Sequence, residues 1–200
     1  MKRILAKVIS TKVKPYRGKL SPNDKKIIDQ AIIAWSNDRI SDFYDDYGIW
    51  PEEFIAKNMD KCLALYGNKK KVTIYRALHF ISRAKLLRFI DSLDNGILVE
   101  KKIRSWTTDK DVAMRFFNHR GIVKSADENF GCLLVQDIMP KQGLQLQVNK
   151  YFEYNEDEIL LPPGTFKVQL LDYTVTNQIT NTKPLKKWDS YVKQLNKRYK

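Results

Sequence analysis

The chain has 200 residues, 43% of them hydrophobic and 12% aromatic, which is enough apolar material for one folded domain and too much for wholesale disorder. Charged residues make up 30%, and no apolar run is long enough for a helix to span a bilayer. The net charge of +13 is confined to the ends: residues 1–20 hold seven Lys or Arg and no acid, and residues 183–200 hold seven with one acid, Asp189, leaving a neutral middle between two arms that are either solubilising or attracted to polyanions.

Ser21-Pro22-Asn23-Asp24 is a helix start, with a capping serine and proline at the first helical position. Ile27, Ile28, Ala31, Ile32 and Trp35 follow at helical spacing. Two further helices are predicted over residues 41–47 and 51–66, ended by Gly67-Asn68. The period then changes. Residues 72–78 form a short β-type run, residues 82–93 an amphipathic helix closed by Asn95-Gly96, and residues 101–106 another strand. Residues 109–117 read as a helix with Val112, Ala113, Phe116 and Phe117 facing inward. Strands are predicted at 132–138, 144–148, 158–161 and 166–173, the last two around the turn Pro162-Pro163-Gly164. Residues 186–199 are a candidate final basic helix. Helices first and strands later predict an α+β fold in a single domain over residues 1–200: a basic arm (1–20), a helical region (21–70), a strand-rich core (71–175) and a basic tail (183–200).

With eight glycines, the chain offers neither a dinucleotide-binding glycine fingerprint nor a phosphate-binding P-loop. His79 and His119 stand alone, and no Cys/His cluster has zinc spacing, so no metal is expected. Cys62 and Cys132 are far apart and imply no disulfide framework, and residues 1–10 make a poor secretion signal. The expected setting is therefore a reducing cytoplasm, with no membrane partner.

Three segments carry candidate chemistry. The apolar strand Thr73-Ile74-Tyr75-Arg76-Ala77-Leu78 holds one arginine, which must pair or reach solvent; a guanidinium at a strand end suits capture of phosphate or carboxylate. Ser105-Trp106-Thr107-Thr108-Asp109 is a hydroxyl-bearing strand end. In Asn155-Glu156-Asp157-Glu158, the two glutamates point to the same side of an extended chain. They repel each other there unless a cation comes between them. An acidic turn is the plainer reading, but Glu158 leads straight into Ile159-Leu160-Leu161 and so sits at the mouth of a buried strand.

Together, in order and spacing, these segments resemble the Arg–Ser–Glu class of mono-ADP-ribosyltransferases over roughly residues 72–168, and the short chain with a helical front half is similar to the small phage enzymes of that class. Arg76 matches the family's strand arginine. Ser105–Thr108 with Ala113 and Phe116 match its Ser-Thr-Ser strand and following helix, although Trp106 interrupts the hydroxyls. Glu156-Asp157-Glu158 before Leu160-Leu161-Pro162-Pro163-Gly164 matches its Glu-x-Glu pair and turn. Thr107 is the first candidate for the family serine's place, then Ser105, with Thr108 also in the run.

The resemblance implies a split-sheet transferase core that takes NAD⁺ as substrate without a Rossmann fold. Arg76 would hold the phosphates, Ser105, Thr107 and Thr108 would shape the site, and Glu158 would be the central catalytic residue. Glu156 at the first acidic position implies arginine as the acceptor. Phe117 and Phe130 are candidates to cover nicotinamide, and Tyr151, Phe152 and Tyr154 to recognise the target. The implied partner is a host protein with an accessible arginine, such as RNA polymerase or a ribosomal component. Two other readings remain: an NAD⁺ glycohydrolase of the same fold, and a nucleic-acid-binding module built on the basic ends with Tyr16, Trp188, Tyr191 and Tyr199.

Overall fold

The computed structural model describes residues 13–36, 39–93, 96–118, 128–146 and 157–177. The basic tail, with its candidate helix, and most of the basic arm lie outside these residues. Among those described, the fold is α+β, with four helices preceding the first strand.

Helix α1 (Pro22–Ser36) begins on a reciprocal cap: the Asp24 backbone N–H donates to Ser21 Oγ at 3.0 Å and the Ser21 N–H donates to the Asp24 carboxylate at 3.3 Å. Its stripe of Ile28, Ala31 and Ile32 is buried. Helix α2 (Ile40–Tyr47) stops at Gly48, whose φ of 66° is the left-handed conformation glycine adopts without strain. The single helix expected over 51–66 is two, α3 (Pro51–Lys57) and α4 (Met59–Tyr66). The break is at Asn58, whose side-chain amide donates to the Phe54 carbonyl at 3.0 Å and competes with the backbone for it.

The strand-rich part comprises β1 (Val72–Phe80), α5 (Arg83–Ser92), β2 (Ile97–Glu100), β3 (Arg104–Thr107), α6 (Lys110–Asn118), β4 (Glu128–Ile138), β5 (Leu144–Gln145), β6 (Glu158–Leu161), β7 (Gly164–Lys167) and β8 (Gln169–Asn177). Six strands form one antiparallel sheet in the order β5-β6-β3-β1-β4-β8, and β2 pairs with β7 in a separate two-stranded sheet. Several sequence expectations change here, among them the strand expected over 144–148, which spans only Leu144–Gln145 among the described residues. Strand β2 was not expected. The expected strand 101–106 begins only at Arg104. The expected strand 166–173 is divided between the two sheets, because Val168 turns its N–H to the Gly96 carbonyl at 2.7 Å as the chain crosses from one to the other.

Each face of the large sheet has its own cover. Ile74, Trp106, Cys132, Leu134, Ile138, Ile159 and Leu161 pack with Leu86 and Ile90 of α5 and with Leu98 and Phe166 of the small sheet. On the other face, Leu144 and Leu160 join Ile28, Ile32, Phe43, Ile55 and Leu63 of the four leading helices. Further along that face Leu133, Tyr75 and Ala77 meet Ala113 and Phe117 of α6. Alternation along β1, β3 and β6 produces this two-sided burial, in which neighbours in sequence serve different cores. No described helix is long and apolar enough to cross a membrane.

Candidate active-site cleft

Strand β1 pairs with β4 along its whole length, but with β3 at a single register position, Tyr75↔Thr107. Beyond that point the two strands part, and β3 continues only with β6, where Thr107 stands opposite Glu158. A cleft of about 380 Å³ opens at the parting, within the size range of small-molecule sites. Its lining comes from the end of α1 (Trp35), from β1 (Tyr75, Arg76, Ala77, His79), from β3 and the residue before it (Ile103 to Thr107), from α6 (Val112, Ala113, Phe116) and from β6 (Glu158).

Tyr75, Thr107 and Glu158 are in register across three strands and lie on the sheet face covered by α1 and α6. Glu158 Oε1 accepts from the indole Nε1 of Trp35 at 3.4 Å, so the helical front half reaches the carboxylate directly. Thr107 is 7% exposed, and its hydroxyl accepts from the Asp109 N–H at 3.0 Å, closing the turn into α6. Asp109 then caps that helix through the N–H groups of Asp111 and Val112, at 2.7 and 3.2 Å. His79 Nε2 lies 2.6 Å from the Phe116 carbonyl; a carbonyl can only accept, so this nitrogen carries a proton and ties β1 to the far end of α6.

Arg76 follows Tyr75 and therefore leaves β1 on the opposite face. Its guanidinium lies 5.9 Å from the centre of the Trp106 ring, and its Nη1 donates to Glu100 Oε1 at 2.5 Å. Arg104 donates through Nε to the other oxygen of the same carboxylate at 3.0 Å. Burial pushes the Arg76 guanidinium below its ordinary value, and Glu100 opposes that shift; an arginine stays charged regardless. Arg76 and Glu158 thus start from opposite sides of the sheet and share one cleft because the sheet is open between them.

Of the residues singled out in the sequence, Arg76, Ser105, Thr107 and Glu158 come together here, with Ala113 and Phe116 on the facing helix. Thr108 does not line the cleft; its N–H donates to the Asp157 carbonyl at 3.0 Å. Phe117 and Phe130 do not cover it either. Phe117 is 4% exposed under α6 and Phe130 is 5% exposed in the core beneath the opposite face. Phe116, expected to face inward, is 52% exposed at the rim. Glu156, Tyr151, Phe152 and Tyr154 lie outside the described residues.

Trp35, Tyr75, His79, Glu100 and Arg104 were not marked as site residues from sequence. Tyr75 and His79 share a face of β1 and were legible by alternation once a cleft on that face was known. Glu100 reaches Arg76 and Arg104 from the separate small sheet, a tertiary contact that left no local signal. Comparison with protein-family models, curated proteins and solved structures finds no match to this chain.

Proposed function

We propose that this protein is a mono-ADP-ribosyltransferase of the Arg–Ser–Glu class, with the split-sheet core of that class, which moves ADP-ribose from NAD⁺ to an arginine of a target protein. The observation that carries the reading is the cleft at the parting of β1 and β3, where Glu158, the hydroxyl strand and Arg76 converge although they lie far apart in sequence. Their order and spacing match the family motifs, and the match also covers Ala113 and Phe116 on the facing helix.

In this reading Arg76 engages the diphosphate and Glu158 faces the nicotinamide-side ribose. The bond between the ribose anomeric carbon and nicotinamide breaks, and its electron pair leaves with nicotinamide. The positive charge that grows on the sugar is stabilised by the Glu158 carboxylate, as in glycoside hydrolysis. An acceptor arginine nitrogen then bonds to the same carbon. A protonated guanidinium is a poor nucleophile, and its proton passes to a carboxylate, the role the family pattern gives to Glu156.

The test is incubation of the full chain with labelled NAD⁺ and a bacterial lysate. The expected result is a labelled arginine on one or a few proteins, with labelling lost in Glu158→Ala while circular dichroism stays unchanged. Labelling by Glu158→Ala at the parent's rate would remove Glu158 from the mechanism. Release of nicotinamide at the same rate with and without added protein would make the enzyme a glycohydrolase.

A further inference from the structure

The Arg76–Glu100–Arg104 cluster has more positive charge than a structural ion pair needs. Glu100 is the last residue of β2, placed opposite Gly164 in the small sheet, where Pro162-Pro163 has just carried the chain out of β6. Its side chain is 11% exposed and accepts from two guanidiniums, one on each of the strands that part. One arginine would balance one carboxylate. The second leaves that three-residue cluster with a net charge of +1, close enough that Arg104 itself helps to depress Arg76. The two cations also differ in exposure: the Arg76 side chain is 16% exposed and that of Arg104 is 40% exposed. Arg104 is engaged through Nε, the inner nitrogen of its fork, so the residue that holds the excess charge also opens towards solvent in the cleft.

We propose that Arg104 is a second anion-binding residue, acting with Arg76 to take the two charges of a diphosphate, and that Glu100 is the positioning residue that holds the two guanidiniums side by side. That the diphosphate belongs to a dinucleotide rests on the function proposed above; the arginine pair itself does not. Two forks held at a fixed spacing match two adjacent phosphates better than one fork does, and a preset pair loses less side-chain freedom on binding. Arg104 then acts on affinity, while Glu158 acts on bond breaking.

The experiment is calorimetric titration of the full chain at fixed ionic strength with inorganic pyrophosphate and, separately, with NAD⁺. It compares the parent with Arg104→Ala, Arg104→Lys and, as a control for the protein's general positive charge, Arg88→Ala on the exposed side of α5. Arg104→Ala is expected to weaken both ligands by about tenfold to a hundredfold, Arg104→Lys to recover part of that, and Arg88→Ala to change neither. In NAD⁺ cleavage the Arg104→Ala loss should fall on KM, with kcat near the parent's. Pyrophosphate affinity unchanged by Arg104→Ala overturns the proposal, and if the parent still binds NAD⁺ the proposed function survives it. Pyrophosphate weakened by Arg104→Ala in a chain that does not bind NAD⁺ leaves the anion site standing and removes the transferase reading.

Discussion

Asn68 illustrates how one polar side chain can hold a loop in place. It is fully buried, and its amide makes four hydrogen bonds: Nδ2 donates to the carbonyls of Lys70 and Met139 at 2.8 and 2.9 Å, and Oδ1 accepts from the N–H groups of Gln142 and Gly143 at 3.1 and 3.0 Å. The sequence suggests only that Gly67-Asn68 ends a helical run. In fact Gly67 is extended, with φ −61° and ψ 138°, and Asn68 braces the β4–β5 connection against the end of α4. Alanine here removes all four bonds; the Met139 carbonyl and the Gln142 N–H keep each other at 3.2 Å, while the Lys70 carbonyl and the buried Gly143 N–H lose the Asn68 partner. Asn68→Ala should lower unfolding free energy by about 3 kcal/mol, read as a lower urea midpoint with an unchanged slope. Protonated Asp at this position keeps the acceptor and one O–H donor where the amide has two, so it should fall between parent and alanine at low pH; ionised, it loses the donor and adds a buried charge, so it should fall below both at neutral pH.

At the scale of elements, much of the fold was legible because most strands and helices here carry their own local signal. The cap at Ser21, the alternation of β1 and the boundaries of β6 follow from side-chain period and capping chemistry. What was not legible depends on partners distant in sequence. β2 is four residues that exist by pairing with β7, and the parting of β1 from β3 follows from each strand having a better partner on its other side. The site divides in the same way. Arg76 and Glu158 stood out from sequence, whereas Glu100, Arg104 and Trp35 arrive through tertiary packing. One junction between elements also makes a pH prediction. Asp157 precedes β6 at φ 47°, an uncommon backbone for a non-glycine residue, and burial, then the nearby Asp109 that caps α6, raises its carboxyl above the ordinary 3.8. A raised folded-state value means the protonated carboxyl suits the fold; its contribution is present below the unfolded value and is lost as pH rises through the folded one. Asp157→Asn removes that liability and tolerates the same backbone. It should raise the melting temperature at pH 7 and leave it nearly unchanged at pH 3. A gain of equal size at both pH values would assign the effect to backbone strain instead of charge.

At the scale of the whole molecule, the helical front half and the strand-rich part should unfold as one cooperative unit, because Leu144 and Leu160 of the sheet and Ile103 just before β3 belong to the core of α1–α4. Removing the helices would bare those three side chains, each worth about 1.5–3 kcal/mol of burial, and would take Trp35 away from Glu158. The two cysteines report on this from opposite sides of the sheet. Cys62 sits among the helices and Cys132 in the core under α5; both are free, fully buried thiols, and burial pushes each up to about 12. Neither should react with iodoacetamide in the folded protein at pH 8, where the reactive thiolate is scarce and shielded. In a urea series, peptide mapping of the alkylated protein should show both thiols becoming reactive with one midpoint, and that midpoint should match the loss of tryptophan fluorescence. Labelling of Cys62 at clearly lower urea than Cys132 would show that the helical layer opens on its own. The shared residues Ile103, Leu144 and Leu160 would then contribute too little to couple the two cores, and the cleft would lose its α1 wall before the sheet that forms its floor unfolds.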